Sequence, residues 1–236
     1  MNSYYAMAKS VVDADKCIGC GECKTHCAFD AISLEKGVAN VNPVDCEGCK
    51  VCQYVCPNGA IDMRKTEAGK LMLYNGNGEV FSSARLGMGN GTSGKLVTEV
   101  KKQLRENVSD ADIAIIDGSP GIGCPVVASL SGVDMVLIVT EPTLSGISDL
   151  KRIVNTAKGF RVKIAVAINK CDLNIKKKCE IEEYLKSEKI HLAGEIPYDS
   201  VAVKAVNEGK NITEIDSKAG TAIRSLYLDI MPLLMS

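Results

Sequence analysis

Eight of the eleven cysteines lie in two runs that share one spacing. The first run reads Cys-x2-Cys-x2-Cys-x3-Cys from Cys17, and the second repeats that spacing from Cys46, an offset of 29 residues. Over the sixteen positions that begin at each first cysteine, the two runs are identical at seven. An internal repeat of this quality indicates a two-fold structural unit.

This spacing is typical of cysteines that bind a cubane [4Fe–4S] cluster. Three cysteines at steps of three residues let one short loop reach three corners of the cube, and the displaced fourth ligates the cluster of the other repeat. The predicted ligands are Cys17, Cys20, Cys23 and Cys56 for one cluster, and Cys46, Cys49, Cys52 and Cys27 for the other.

The residues between the cysteines suit the same chemistry. Glycines such as Gly19 and Gly48 let backbone amides approach the sulfur atoms, which stabilises the added electron. The Ala31-Ile32 and Ala60-Ile61 pairs are predicted to shield the clusters from water.

Zinc and disulfides are the alternatives for these cysteines. Zinc sites use paired Cys-x2-Cys arms, which leave the third cysteine of each run without a role. Disulfides need an exported chain, and we expect none because the sequence shows no signal-peptide pattern. The pattern resembles bacterial two-cluster ferredoxins, with Ala28 in place of the proline that usually follows the fourth cysteine.

Composition narrows the class of protein. The 236 residues are 46% apolar and 4% aromatic, an aliphatic balance that suits a buried parallel sheet. The formal net charge is −1 and no basic face stands out, so we expect no nucleic-acid partner. No apolar run reaches the length of a membrane span. Eleven cysteines without an export signal favour a reducing cytoplasm, in an anaerobe or another organism that keeps oxygen low.

The predicted architecture has two domains. Residues 1–66 form a small α+β ferredoxin-like domain, with a short strand at 11–13, a hairpin at 32–34 and 38–41, and a closing strand at 61–64. Residues 67–236 form an α/β domain with a mostly parallel sheet, because strands and helices alternate from Ser93 onward. Its first hairpin joins segments 70–74 and 79–86. Further strands are predicted at 112–117, 135–140, 162–169 and 192–196, and helices at 93–107, 145–160, 176–189, 200–208 and 217–234.

Three loops follow predicted strands at the edge where α/β sheets bind ligands. Asp117 ends an apolar strand and is followed by Pro-Gly at Gly121, a pattern that suits a magnesium-bound phosphate. Asn169 ends the next-but-one strand, where its amide can pair with both a donor and an acceptor on a purine edge. Pro197 lies in a rigid loop that could close over the base.

These loops resemble the MinD/ParA/nitrogenase-iron-protein superfamily of deviant P-loop ATPases. More narrowly, the chain resembles MinD-type ATPases that contain an inserted two-cluster ferredoxin domain. The resemblance implies that Asp117 holds magnesium through water, that Gly121 senses the terminal phosphate and that Asn169 binds adenine. Asn169-Lys-x-Asp172 also matches the guanine-binding pattern, so MgATP and MgGTP both stay open as ligands.

One family feature is expected before the ferredoxin insert and has no counterpart here. Members of the superfamily begin with a strand and a glycine- and lysine-rich phosphate loop, and Tyr4-Tyr5-Ala6-Met7 resembles the residues that follow that segment. The P-loop fold is therefore expected to be incomplete in this chain. Either the chain is a truncated form, or a second polypeptide supplies the loop. The segment 89–95 fits G-x-x-x-x-G-K, which makes Lys95 a candidate phosphate ligand, although a helix start is the favoured interpretation.

The leading functional hypothesis is ATPase-coupled electron transfer through two [4Fe–4S] clusters. It implies a redox partner protein and pairing with a second copy or a related ATPase subunit. Autonomous ATP hydrolysis is not expected without a phosphate loop. A plain electron carrier and an iron–sulfur assembly or carrier ATPase are the alternatives.

Overall fold

The computed structural model describes residues 2–76, 78–87, 93–108 and 110–236. The chain divides into two compact units, Met1–Ile116 and Asp117–Ser236. Strand β4 (Ile61–Gly76) runs across the domain boundary predicted after residue 66, and that boundary stays a prediction.

The first unit contains two antiparallel sheets. Its elements are β1 (Asn2–Val12), α1 (Glu22–Thr25), β2 (Ile32–Glu35), β3 (Val38–Val41), α2 (Val51–Val55), β4, β5 (Glu79–Leu86) and α3 (Ser93–Asn107). Strands β2 and β3 form the predicted small hairpin, and β1, β4 and β5 form a sheet in the order β1-β4-β5. The helix predicted at 93–107 is confirmed.

The β1-β4-β5 sheet is longer than the sequence pattern indicated. The two short strands predicted at 61–64 and 70–74 are one continuous strand, because β1 pairs with β4 from Val12–Ile61 to Asn2–Leu71 and satisfies its backbone groups. Helix α3 covers one face of this sheet, where Leu96 packs with Tyr4 and Ala68.

The second unit is built on a parallel sheet in the order β6-β7-β8. Its elements are α4 (Cys124–Leu130), β6 (Met135–Thr140), α5 (Leu144–Lys158), β7 (Lys163–Asn169), α6 (Ile175–Glu188), β8 (His191–Ile196), α7 (Ser200–Asn207), a 3₁₀ turn (Ile212–Glu214) and α8 (Lys218–Met235). Helix α4 and the 3₁₀ turn were not predicted, and the other elements agree with the predicted ones to within two residues. No helix among the described residues is long and apolar enough to cross a membrane.

Strand β7 lies at the centre of the parallel sheet, and its side chains alternate in size. Val166 and Ile168 face a core of large side chains from α5 and α6. Ala165 and Ala167 face the other way, where Leu226 of α8 packs against them. The small residues let α8 lie close to this face of the sheet.

The strand predicted at 112–117 is wrong. These residues form no strand, and the Ile115 side chain is 89% exposed. A strand needs a neighbour that satisfies its N–H and C=O groups. No strand in the described part of the chain pairs with this segment, so its apolar sequence alone does not hold it in a sheet.

Candidate iron–sulfur centre and the loops of the parallel sheet

The two cysteine runs repeat their backbone conformation as well as their sequence. Three pairs of positions 29 residues apart adopt left-handed backbone with similar φ values. They are Gly19 and Gly48 (φ 67° and 66°), Gly21 and Lys50 (84° and 69°), and Asp30 and Gly59 (50° and 59°). The repeat therefore sets the path of each loop around its cysteines.

Gly19 and Gly48 lie against a backbone carbonyl of the opposite repeat. A Cβ on Gly19 would lie 2.3 Å from the Gly37 carbonyl oxygen, and a Cβ on Gly48 would lie 2.3 Å from that of Ala8. Residues 8 and 37 are themselves 29 apart. Both loops thus require glycine for close backbone approach as well as for φ.

The first cavity is lined by cysteines from both runs. Three come from the first run, Cys17, Cys20 and Cys23, and the fourth, Cys56, comes from the second. Ala60 and Ile61 line the same cavity and are 2% and 3% exposed.

The second cavity mirrors the first. It is lined by Cys46, Cys49 and Cys52 of the second run and by Cys27 of the first. Ala31 and Ile32 supply the buried apolar wall. The structure thus groups the eight cysteines into the two sets that the spacing indicated.

The sulfur atoms of both cavities receive hydrogen bonds. The Ala39 amide donates to Cys17 Sγ at 3.4 Å, and the Ala60 amide donates to Cys56 Sγ at 3.3 Å. In the second cavity, Ser10 Oγ lies 3.3 Å from Cys46 Sγ in a buried contact. Such donors stabilise negative charge on sulfur.

Two of the cysteines that line the cavities have shifted pKa values. Burial raises the pKa of Cys23, and the neighbouring Cys17 and Cys20 add to the rise because a second negative charge nearby is unfavourable. Burial also acts to raise the pKa of Cys46, but the hydroxyl and amide of Ser10, together with the Gly48 amide, hold it below its usual value. The Cys46 thiolate is therefore the better stabilised of the two.

The donor set fits an iron–sulfur cluster. Each cavity offers four sulfur donors, an apolar wall and amides directed at sulfur, which are the features that hold and tune such clusters. No group of three or more His, Cys, Asp or Glu side chains converges on the position of a single metal ion in the described residues.

The loops after β6, β7 and β8 are tied together at the carboxyl edge of the parallel sheet. Lys170 Nζ lies 2.8 Å from Glu141 Oε1, which links the loops after β7 and β6. The Tyr198 amide donates to Asp172 Oδ1 at 2.8 Å, and the Cys171 amide donates to the Ile196 carbonyl at 3.1 Å. These contacts bring two of the three predicted nucleotide loops, those of Asn169–Asp172 and Pro197, side by side.

The other candidate nucleotide residues lie in more open surroundings. Asp117 and Gly121 are exposed, and a Cβ on Gly121 would meet no atom within 4 Å. Within the described residues, no hydrogen bond or ion pair joins either one to the Asn169 loop. Lys95 is exposed on the first turn of α3, and residues 89–92 of its proposed phosphate loop lie outside the described residues.

The sequence interpretation missed the residues of β1 and β3 that reach the cysteines. Ser10 and Ala39 contact Cys46 and Cys17 respectively, each across to the other repeat. The signal was present, because extending the 29-residue offset upstream of Cys17 aligns position 10 with position 39.

Comparison with known proteins agrees with this site. Residues 10–63 match a family described as "4Fe-4S dicluster domain". The subunit PorD of pyruvate synthase from Thermotoga maritima is 36% identical over 61 residues, which cover 25% of this chain and 62% of PorD. The fold and the cysteine cavities thus define an iron–sulfur protein with a ferredoxin-type domain and an α/β unit.

A match over most of the chain shows the family to which the protein belongs. An uncharacterized protein, MJ0578 of Methanocaldococcus jannaschii, is 33% identical over 214 residues, which cover 90% of this chain and 71% of MJ0578. The chain belongs to the same family as MJ0578.

The chain also resembles MinD proteins over about half of its length. The septum site-determining protein MinD of Helicobacter pylori is 29% identical over 134 residues, which cover 52% of this chain and 50% of that protein. This match confirms the predicted resemblance to MinD-type ATPases. A solved MinD structure from Aquifex aeolicus is 20% identical, covers 59% of this chain and 61% of its own, and superposes with a TM-score of 0.49.

The close approach at Gly48 makes a testable prediction. Gly48→Ala should lower the thermal midpoint and the iron content, because it combines left-handed strain with a clash against the Ala8 carbonyl. Gly59→Ala is the matched control, since its φ is 59°, its surroundings are open and its counterpart Asp30 shows that a side chain is accepted there. In the control, the free energy of unfolding should fall only by the strain of the left-handed alanine, about 1–2 kcal/mol. Equal losses in the two variants would contradict the role of the contact.

Proposed function

We propose that this chain is an electron-transfer protein that holds two [4Fe–4S] clusters. The observation that supports this best is the composition of the two cavities, each lined by three cysteines of one run and the fourth of the other. A zinc site or a disulfide framework has no need of this crossed grouping, whereas two adjacent cubane clusters require it.

The eight proposed ligands differ in their exposure to solvent. The proposed ligands are Cys17, Cys20, Cys23 and Cys56 for one cluster and Cys27, Cys46, Cys49 and Cys52 for the other. Cys20 and Cys49 are exposed at equivalent positions, while the other six are buried or half-buried. The exposed cysteines give each site one side close to solvent, where a redox partner protein can approach.

The remaining residues of the cavities exclude water and orient the ligands. The buried Ala-Ile pairs keep the walls apolar, and the left-handed glycines turn the loop amides toward the sulfur atoms. When bound, each cluster supplies a one-electron redox couple. The match to a pyruvate synthase subunit over this domain supports exchange of those electrons with a separate oxidoreductase protein.

We further propose that the α/β unit binds a magnesium nucleotide and couples that binding to electron transfer. Asn169 lies at the carboxyl end of β7, where its side-chain oxygen accepts from the Lys170 amide and its amide group stays available as a donor. Asp172 and Pro197 lie in the two loops that are tied together beside it. Asp117 and Gly121 are the candidates for magnesium and the terminal phosphate, and the protein pairs with a second copy or a related ATPase subunit.

A plain electron carrier is the second candidate. The observation in its favour is that residues 112–117 form no strand and leave Asp117 exposed, without the support that a metal-binding carboxylate ordinarily receives from a sheet. In that case the α/β unit acts only as a docking platform.

Pairs of cysteine substitutions test the crossed ligand sets. Cys17→Ala with Cys56→Ala removes two ligands from one proposed site, and we expect about four of eight iron atoms to remain. Cys46→Ala with Cys56→Ala removes one ligand from each site and should empty or damage both. The two double variants delete the same number of thiols, so each controls for the other.

Iron analysis and electron paramagnetic resonance of the reduced, anaerobically loaded chain provide the measurement. The proposal is contradicted if the second double variant keeps one intact cluster and the first loses both. That result would show that the four cysteines of each run bind the same cluster.

Calorimetric titration of the cluster-loaded chain with MgATP and MgGTP tests nucleotide binding. We expect binding that weakens at least tenfold in Asn169→Ala, because the variant loses the base contact. Asn174→Ala, which removes a helix-capping side chain from the same loop, is the control for local structure. Lys95→Ala tests whether Lys95, on the first turn of α3, contributes to phosphate binding. Heats that do not change on titration of either nucleotide would leave the plain electron carrier as the function.

A further inference from the structure

Two neighbouring pairs of equivalent positions, on β1 and β3, differ between the two cysteine sites. Lys9 and Ser10 of β1 precede Cys17 by eight and seven residues, and Val38 and Ala39 of β3 precede Cys46 by the same intervals. Because the repeats cross, position 10 contacts Cys46 and position 39 contacts Cys17.

At position 39 the only available donor is the backbone amide. The Ala39 amide donates to Cys17 Sγ at 3.4 Å, and its methyl side chain offers no further hydrogen bond. At position 10 the serine hydroxyl lies 3.3 Å from Cys46 Sγ. Ser10 and Cys46 are 6% and 7% exposed, so water does not compete strongly for this contact.

The residue before Ser10 on β1 carries a positive charge. Lys9 is 9% exposed, and its ammonium donates to the carbonyl of Pro43, three residues before Cys46, at 2.5 Å. The equivalent position in the other repeat is Val38, which has no charge. In the described residues, Ser10 has the one side-chain hydroxyl that lies within hydrogen-bond distance of a cavity cysteine.

We propose that Ser10, assisted by Lys9, gives the site of Cys46 the higher reduction potential, so that the first electron accepted by the chain resides there. This inference rests on the proposed two-cluster function. A hydroxyl donor and a nearby cation both stabilise the extra negative charge of the reduced state, and hydrogen bonds to sulfur are among the factors that set cluster potentials. In the transfer itself, a low-potential one-electron donor loses one electron and the Cys46 site gains it.

Ser10 is a positioning and tuning residue, and a reciprocal pair of substitutions tests its role. Ser10→Ala removes the hydroxyl from the Cys46 site, and Ala39→Ser introduces one at the equivalent place in the Cys17 site. The measurement is a redox titration of the full, cluster-loaded chain, monitored by electron paramagnetic resonance. It reports the midpoint of each cluster independently of any activity.

We expect two one-electron components in the wild-type chain. Ser10→Ala should lower the higher midpoint and leave the lower one in place. A decrease of up to tenfold in the equilibrium constant for reduction corresponds to about 59 mV for a one-electron couple. Ala39→Ser should raise the lower midpoint, and Lys9→Met should move the same component as Ser10→Ala, in the same direction.

Each outcome separates this inference from the function on which it rests. A wild-type chain that binds no more than one cluster overturns the proposed function. Two intact clusters whose midpoints do not move in Ser10→Ala, or a shift of the lower component instead of the higher, overturn the inference alone. If Ser10→Ala fails to fold or to bind iron, Ala39→Ser decides the matter: an unchanged lower midpoint in that variant contradicts the proposed effect of the hydroxyl.

Discussion

Two backbone contacts, at Gly19 and Gly48, are the constraint on which the ferredoxin-type domain depends. Each glycine lies against a carbonyl of the opposite repeat, so each cysteine loop packs against the backbone of the other repeat. The same crossing places Cys27 and Cys56 in the cavity opposite their own runs. The grouping of the cysteines is therefore a consequence of how the two repeats pack, and the apolar walls follow from the same packing.

Strand β1 connects that constraint to the rest of its unit. Its last residues contribute Ser10 to a cysteine cavity, while its first residues place Tyr4 under α3. A register shift between Tyr5 and Ala8 separates these two parts, and the Ala8 carbonyl that meets Gly48 lies at this irregularity. A single strand thus supports the β1-β4-β5 sheet and also makes the two sites chemically unequal.

The sequence correctly predicted the elements that depend on their own residue pattern. It failed for elements that depend on contact with a distant part of the chain. The cysteine spacing and the apolar pairs gave the grouping of the cavities, and the alternation of β6, β7 and β8 with helices gave the parallel sheet. The segment around Ile115 has the same apolar composition but pairs with no described strand, so its pattern was misleading. Ser10 was missed although the 29-residue offset aligns it with Ala39, because the offset alone does not show that position 10 lies beside a cysteine of the opposite repeat.

The central claim is that the chain holds two four-iron clusters, and the most direct test is the iron and acid-labile sulfide content of the anaerobically purified chain. We expect about eight iron and about eight sulfide per chain, with a reduced spectrum that shows two interacting paramagnets. About four of each, or bound metal without sulfide, would contradict it.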